Sequence, residues 1–236
     1  MKLIKSEVIE TTKEGILLID KRPGDTAFSV IRRLRYLSRV KKIGHAGTLD
    51  PFATGVMVYL VGKKYTTQSN SFLEADKEYT TTLHLGIETD SFDIDGQVTK
   101  ESDLIPSLEE ISLAIEENFQ GTISQTPPMF SAKKVKGKKL YELARKGITI
   151  ERQPQEVTVE TTVLSYSYPF LELKVTCTKG CYIRSIASDL GQILKCGAHL
   201  KSLRRTRSGH FKIEECLAGS ALEDDNINIF DYLKTS

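Results

Sequence analysis

The sequence predicts a mixed α/β domain, and three observations carry that expectation. Short apolar runs end at turn-forming residues, a stretch after Lys77 alternates in polarity, and three segments repeat apolar residues at helical spacing. The chain has 236 residues, 39% hydrophobic and 27% charged, enough to build one globular domain around a sizeable core.

The first run, Gly15–Asp20, is followed by Lys21 and a Pro23-Gly24 turn, as a strand would be. Asp25 or Thr26 can then cap a helix that sets Ala27, Ile31, Leu34 and Leu37 against Arg32, Arg33 and Arg35. Val56–Val61 is apolar throughout, as a strand buried on both faces is. From Tyr79, inward Tyr79, Thr81, Leu83 and Leu85 alternate with Thr80, Thr82 and His84, which predicts a half-buried strand. Ser107 to Phe119 reads as a helix with Leu108, Ile111, Ile115 and Phe119 inward. Two further strands carry Val157, Val159, Thr161 and Val163, and Leu171, Leu173, Val175 and Cys177, on their inner faces. After Gly180 a last helix aligns Ile183, Ile186, Ala187, Leu190, Ile193 and Leu194. Residues 124–152 depart from this rhythm: they open on Thr126-Pro127-Pro128 and hold one short helix near Leu140–Arg145.

A formal net charge of +2 says little, but its distribution is informative. Lys133, Lys134, Lys136, Lys138, Lys139, Arg145, Lys146 and Arg152 stand against only Glu142 and Glu151. Lys195, Lys201, Arg204, Arg205, Arg207 and Lys212 form a second run without an intervening acid, while Glu74, Asp76, Glu88, Asp90, Asp93 and Asp95 gather elsewhere. Two such patches favour a partner rich in phosphate over a merely solvated helix face. Cys177, Cys181, Cys196 and Cys216 make no paired CxxC knuckle, so neither a disulfide nor a metal site is expected. No apolar run nears the roughly 18 residues of a membrane span, and Met1–Lys5 lacks a signal-peptide core, so a cytoplasmic location is expected.

The segment Gly44–Gly55 holds one carboxylate, one imidazole and three glycines. Pro51 keeps Asp50 out of helical geometry, and the glycines admit a close backbone or a flat ligand. An Asp-Pro pair alone is usually just a turn; the alternative reading is a carboxylate displayed at the floor of a cleft. Arg184 opens a helix, where the dipole disfavours a cation, so a carboxylate partner is expected. Tyr79 and Tyr182 read either as packing residues or as stacking platforms, and His45 as a turn histidine or a ring facing something planar. On pattern alone Leu203 is a core leucine and Lys21 a solvated turn lysine.

These residues also carry a likeness. Gly44–Gly55 closely resembles the catalytic signature of TruB-type tRNA pseudouridine synthases, and four further segments match that family in order. Lys77-Glu78-Tyr79 resembles its tyrosine motif. Pro127–Lys133 with Gly137–Tyr141 resembles its thumb insertion. Lys179–Ser185 resembles its arginine motif, and Cys196–His199 through Leu203–Arg205 its late substrate-contact segment. The likeness spans roughly residues 15 to 215.

The resemblance implies the pseudouridine synthase fold: a central, mixed but largely antiparallel sheet flanked by helices, with a thumb. It implies one catalytic domain over residues 1–236 with a thumb at 124–152; the C-terminal PUA RNA-binding domain that many relatives carry is not expected in this chain. The implied activity is isomerisation of the T-loop uridine of tRNA, conventionally position 55, to pseudouridine, with no cofactor or metal and with a monomer acting on the tRNA T arm. Asp50 would be the essential nucleophile, Arg184 would pair with it, and Tyr79 would stack on uracil and assist proton transfer. His45 would fill the space the flipped base leaves, Tyr182 and Leu203 would line the uracil pocket, and Lys21 would support the Asp50 loop. One departure stands out: the family's usual proline directly after that lysine is here Arg22. The rivals are an inactive RNA-binding homologue serving as a tRNA folding chaperone, a nucleotide hydrolase and a guided synthase. The hydrolase lacks a GxxxxGK[ST] phosphate loop.

Overall fold

A computed structural model describes residues 14–131, 133–135 and 137–235. Met1–Lys5, Ala132 and Lys136, all used in the sequence reading, lie outside the described residues. In chain order the first half holds β1 (Gly15–Lys21), α1 (Ala27–Ser38), β2 (Ile43–Ala46), β3 (Thr54–Val61), α2 (Lys63–Thr66), α3 (Ser69–Glu74), β4 (Lys77–Leu85), β5 (Ile87–Thr89), β6 (Val98–Glu101) and α4 (Leu108–Asn118). The second half holds β7 (Gln120–Gln125), β8 (Lys134–Val135), β9 (Lys138–Lys139), α5 (Leu140–Ala144), β10 (Gln155–Ser167), β11 (Phe170–Cys177), α6 (Ile183–Ile193), β12 (Ala198–Ser208), β13 (Phe211–Lys212) and β14 (Leu217–Ala218).

Eight strands run across the main sheet in the order β14-β1-β3-β12-β4-β11-β10-β7, with β2 added beside β3 and β13 beside β12. Only the β1–β14 and β3–β12 pairings are parallel, so the sheet is mixed and largely antiparallel. The expected strands at Gly15, Val56, Tyr79, Val157 and Leu171 all form, and β3 is buried from Gly55 to Val61. Thr26 caps α1 in a reciprocal box with Ser29, and Ser107 caps α4 with Glu110. The core joins α1, α4 and α6 to one face of the sheet through Leu34, Ile111, Ile115, Ile186 and Leu190.

Two expected core positions are exposed instead. Leu108 is 51% exposed because α4 begins with its capped first turn and burial starts one turn later, at Ile111. Ile193 is 42% exposed because Leu194, about 100° further round the helix, takes the core-facing place. The second basic run also fails to make a patch. Arg204 pairs with Asp20 at 2.7 Å, Arg207 pairs with Asp76 at 2.8 Å, and Arg205 is buried. As residues of β12, Arg204 and Arg207 are spent on acids of neighbouring segments, and Arg205 is enclosed within the sheet. No helix among the described residues is long and apolar enough to cross a membrane.

Candidate active site

The Asp50 loop joins β2 to β3 and is shaped by the chain around it. Gly47 takes φ +84° and Gly55 φ +105°, both in the region that favours glycine. A Cβ on Gly55 would overlap the Arg205 carbonyl oxygen, so glycine lets β3 and β12 run side by side here. Asp50 O accepts from Ala53 N at 3.1 Å, closing a turn over Pro51, and Pro51 O accepts from Gly24 N at 2.8 Å.

Lys21 holds this turn from behind. It is 1% exposed, and Nζ donates to the carbonyls of Arg22 (2.9 Å), Pro51 (3.0 Å) and Ala53 (2.6 Å). Burial lowers its pKa to about 8, with Asp25 and Asp50 pulling the other way. A solvated turn lysine is therefore the wrong description. Arg22 does not loosen the arrangement: its carbonyl serves Lys21, and its side chain pairs with Asp25 and Glu223.

Arg184 lies in the first turn of α6 and is 3% exposed. Its guanidinium meets Asp50 in a bidentate fork, Nε to Oδ2 at 2.9 Å and Nη2 to Oδ1 at 3.2 Å. Nη1 donates to Ser91 O at 2.9 Å and faces Asp93 Oδ2 at 3.4 Å, while Nη2 also donates to Phe130 O at 2.7 Å. All three guanidinium nitrogens thus have oxygen neighbours, two of them carboxylates, which offsets the unfavourable helix dipole. Asp93, buried and bonded to Ser91 Oγ at 2.5 Å, has a raised pKa. Burial is the main cause and Asp50 adds to it, against Ser91 and Arg184. Sequence reasoning missed Asp93, because it sat within an acidic cluster set aside as remote from a phosphate-rich partner.

Asp50, Arg184, Tyr79, Tyr182 and Leu203 share one cavity of about 650 Å³, closed on other sides by Gly47, Lys77, Gly180 and Arg205. Register explains the meeting: Tyr79 on β4 lies opposite Arg205 on β12 and Val175 on β11. Burial pushes the Tyr79 phenol up to about 12, and the adjacent Arg205 guanidinium opposes that shift. Arg205 is 2% exposed and forms no ion pair among the described residues; Nε donates to Val56 O at 2.7 Å. Tyr182, the N-cap residue of α6, also has its pKa raised by burial. His45 and Lys21 are not on the cavity wall. His45 stands two residues before Gly47 on β2, its Nδ1 2.7 Å from Gly47 O and its ring edge-on to Phe28. Among the described residues no group of His, Cys, Asp or Glu is arranged to hold a metal ion.

Comparison with known proteins gives this site a context. Residues 35–183 match the family model for TruB family pseudouridylate synthase (N terminal domain), and residues 184–232 that for the tRNA pseudouridylate synthase B C-terminal domain. The chain is 58% identical over 222 residues to a Chlamydia pneumoniae protein named tRNA pseudouridine synthase B, covering 94% of each chain. A protein of the same name from Protochlamydia amoebophila is 60% identical over 89% of this chain and 79% of its own. Among solved structures, a Cbf5-Nop10-Gar1 complex matches with TM-score 0.69 and 28% identity. An H/ACA RNP bound to a substrate RNA containing 2'-deoxyuridine matches with TM-score 0.67 and 26% identity. The alignments cover 92% and 94% of this chain but 58% of each of those chains. The fold is that of pseudouridine synthases, and the chain belongs to the TruB family of pseudouridylate synthases.

Proposed function

We propose that this protein isomerises the T-loop uridine of tRNA to pseudouridine, recognising the T arm as a monomer and working without a metal or cofactor. The observation that carries the reading is the bidentate Asp50–Arg184 pair, set beside Tyr79 in a cavity large enough for a nucleoside. In this reaction the N1–C1′ bond breaks, uracil turns, C5 joins C1′, C5 gives up its proton and N1 takes one. The product is an isomer, so no electron or group enters or leaves.

Asp50 is the group that meets C1′, as nucleophile or as the carboxylate supporting positive charge there. Its side chain is 37% exposed and Arg184's is 4%, an acid open to substrate and a partner that is not. Tyr79 presents its ring to uracil. Its phenol stays neutral at neutral pH; to take a proton it must become phenolate, and Arg205 is the adjacent cation that favours that form. Flipping the nucleotide out costs a few kcal/mol of unstacking, offset by stacking and phosphate contacts. A tRNA chaperone has no use for a carboxylate so carefully aimed.

T-arm RNA carrying tritium at uridine C5 tests the reading directly. Wild-type protein is expected to release tritium in step with pseudouridine formation. Folded protein that binds the RNA and releases none would overturn it.

The Lys21 tether gives a pH dependence of known sign. Its ammonium has three protons for three carbonyls, and above about pH 8 the amine has two. Wild-type kcat is expected to fall through that region as the Asp50 turn loosens, with Lys21→Met about 10- to 100-fold slower and lacking this limb. Stability moves the other way. A lysine whose pKa is lowered by folding opposes folding at neutral pH, and the opposition fades between about 8 and its ordinary 10.5. Paired kcat and melting profiles of both proteins check the opposed trends.

A further inference from the structure

The twenty-four residues between Asp25 and Asp50 contain no acid and six cations: Arg32, Arg33, Arg35, Arg39, Lys41 and Lys42. This third concentration of charge lies outside the two basic runs noted above. The helical period sorts it. Phe28, Arg32, Arg35 and Tyr36 follow one another at i, i+4, i+7 and i+8, one stripe on the side of α1 away from Leu34, and Arg39 caps the helix just past its end. Of the six cations, Arg33 alone is satisfied by an ion pair among the described residues, with Asp225 at 2.6 Å. Arg39 stacks its guanidinium over the Tyr36 ring at 5.2 Å. Gly62 N donates to Lys42 O at 2.8 Å, which sets Lys63 beside Lys42 and prolongs the strip.

Like charges along one helix face repel, and an aromatic side chain in water forgoes burial, so this face is costly as a bare surface. Phe28 is 72% exposed and Tyr36 50%. The Thr26–Ser29 capping box fixes Phe28 in the first helical turn, where its ring stands edge-on to His45, centroids 5.8 Å apart. His45 in turn leads to Gly47 on the cavity wall. Cations interleaved with open aromatic faces, continuous with the reacting centre, are the chemistry that holds unpaired nucleotides.

We propose that the outer face of α1, with the basic segment that follows it to Lys42, is an RNA-binding surface in which Phe28 stacks on an unpaired nucleobase neighbouring the reacting uridine and Arg32, Arg39 and Lys42 hold the phosphates beside it. This rests on the tRNA reading above and extends it to α1, an element separate from the thumb segment.

Equilibrium binding of unmodified T-arm RNA across a potassium chloride series tests it, on the full chain. Phe28→Ala is expected to raise Kd about ten-fold, with Phe28→Trp restoring it. The Arg32→Ala/Arg39→Ala variant is expected to lower the slope of log Kd against log salt by about 2, one for each phosphate that the protein then leaves to its counterions. Lys100→Ala removes an exposed charge on β6 and is the control. Wild-type Kd and slope in the α1 variants would overturn the proposal, as would an equal change in Lys100→Ala, which would mean long-range charge rather than direct touch. If wild-type protein binds the RNA but releases no tritium, the isomerase reading fails while the α1 surface is still decided by these Kd values.

Discussion

Asp50→Asn is expected to reduce pseudouridine formation by about 10⁴-fold or more while leaving T-arm binding within about three-fold of wild type. The substitution keeps the shape of the side chain and one of the two oxygens that face Arg184, and removes the charge and nucleophilicity that the proposed role at C1′ requires. Folding should survive. Asp50 projects from a loop, and Arg184 retains Asp93 and the carbonyls of Ser91 and Phe130 as partners. A loss of about 1 kcal/mol or less fits the removal of a half-exposed ion pair. Tritium release under single-turnover conditions, with protein in excess, separates chemistry from binding. Retention of more than about a hundredth of the wild-type rate would remove Asp50 from its assigned role. A fall in RNA affinity to match the rate would reassign it to binding.

Much of the scaffold was legible because its signals are local. The alternation from Tyr79 and the unbroken apolar run at Val56 belong to strands whose inner faces meet the core residue by residue. β12 was hidden, although it crosses the centre of the sheet. It carries four cations among its eleven residues, and two irregularities, at Leu200/Ser202 and Arg205/Arg207, break the two-residue period a strand is recognised by. The same strand explains why a charge count misjudged the second basic run. Acids that are remote in sequence, Asp20 and Asp76, come within ion-pair reach only once the strands are paired. The Asp50–Arg184 meeting is likewise a product of topology, joining residues 134 positions apart. Arg184 at a helix start announced a need for a carboxylate; nothing local could say which, or that Asp93 would be the second. Lys21 misled on pattern for a related reason, since a lysine after a strand is solvated unless distant carbonyls converge on it.

Arg184→Met is expected to produce the largest combined loss, in both stability and rate, and the two losses should be separable. Methionine fills much of the space but leaves Asp93 buried without its guanidinium, the circumstance in which breaking an ion pair costs about 3–5 kcal/mol. Asp93 already has a raised pKa, and loss of Arg184 raises it further. For a carboxyl group shifted upward by folding, stability falls as pH rises from the ordinary carboxylate range through the folded-state value. Arg184→Met should therefore melt higher at pH 5 than at pH 8. Arg184→Met/Asp93→Asn should recover much of the lost melting temperature at pH 8, because a neutral amide replaces the stranded charge. The rate should not follow. Without the fork from Nε and Nη2, Asp50 is free to turn in its loop, and a misaimed reactive group costs about 10²-fold or more whatever the stability of the fold. If the double variant regained activity along with its melting temperature, Arg184 would be a structural residue and the aim of Asp50 would be set by the Lys21-held turn alone.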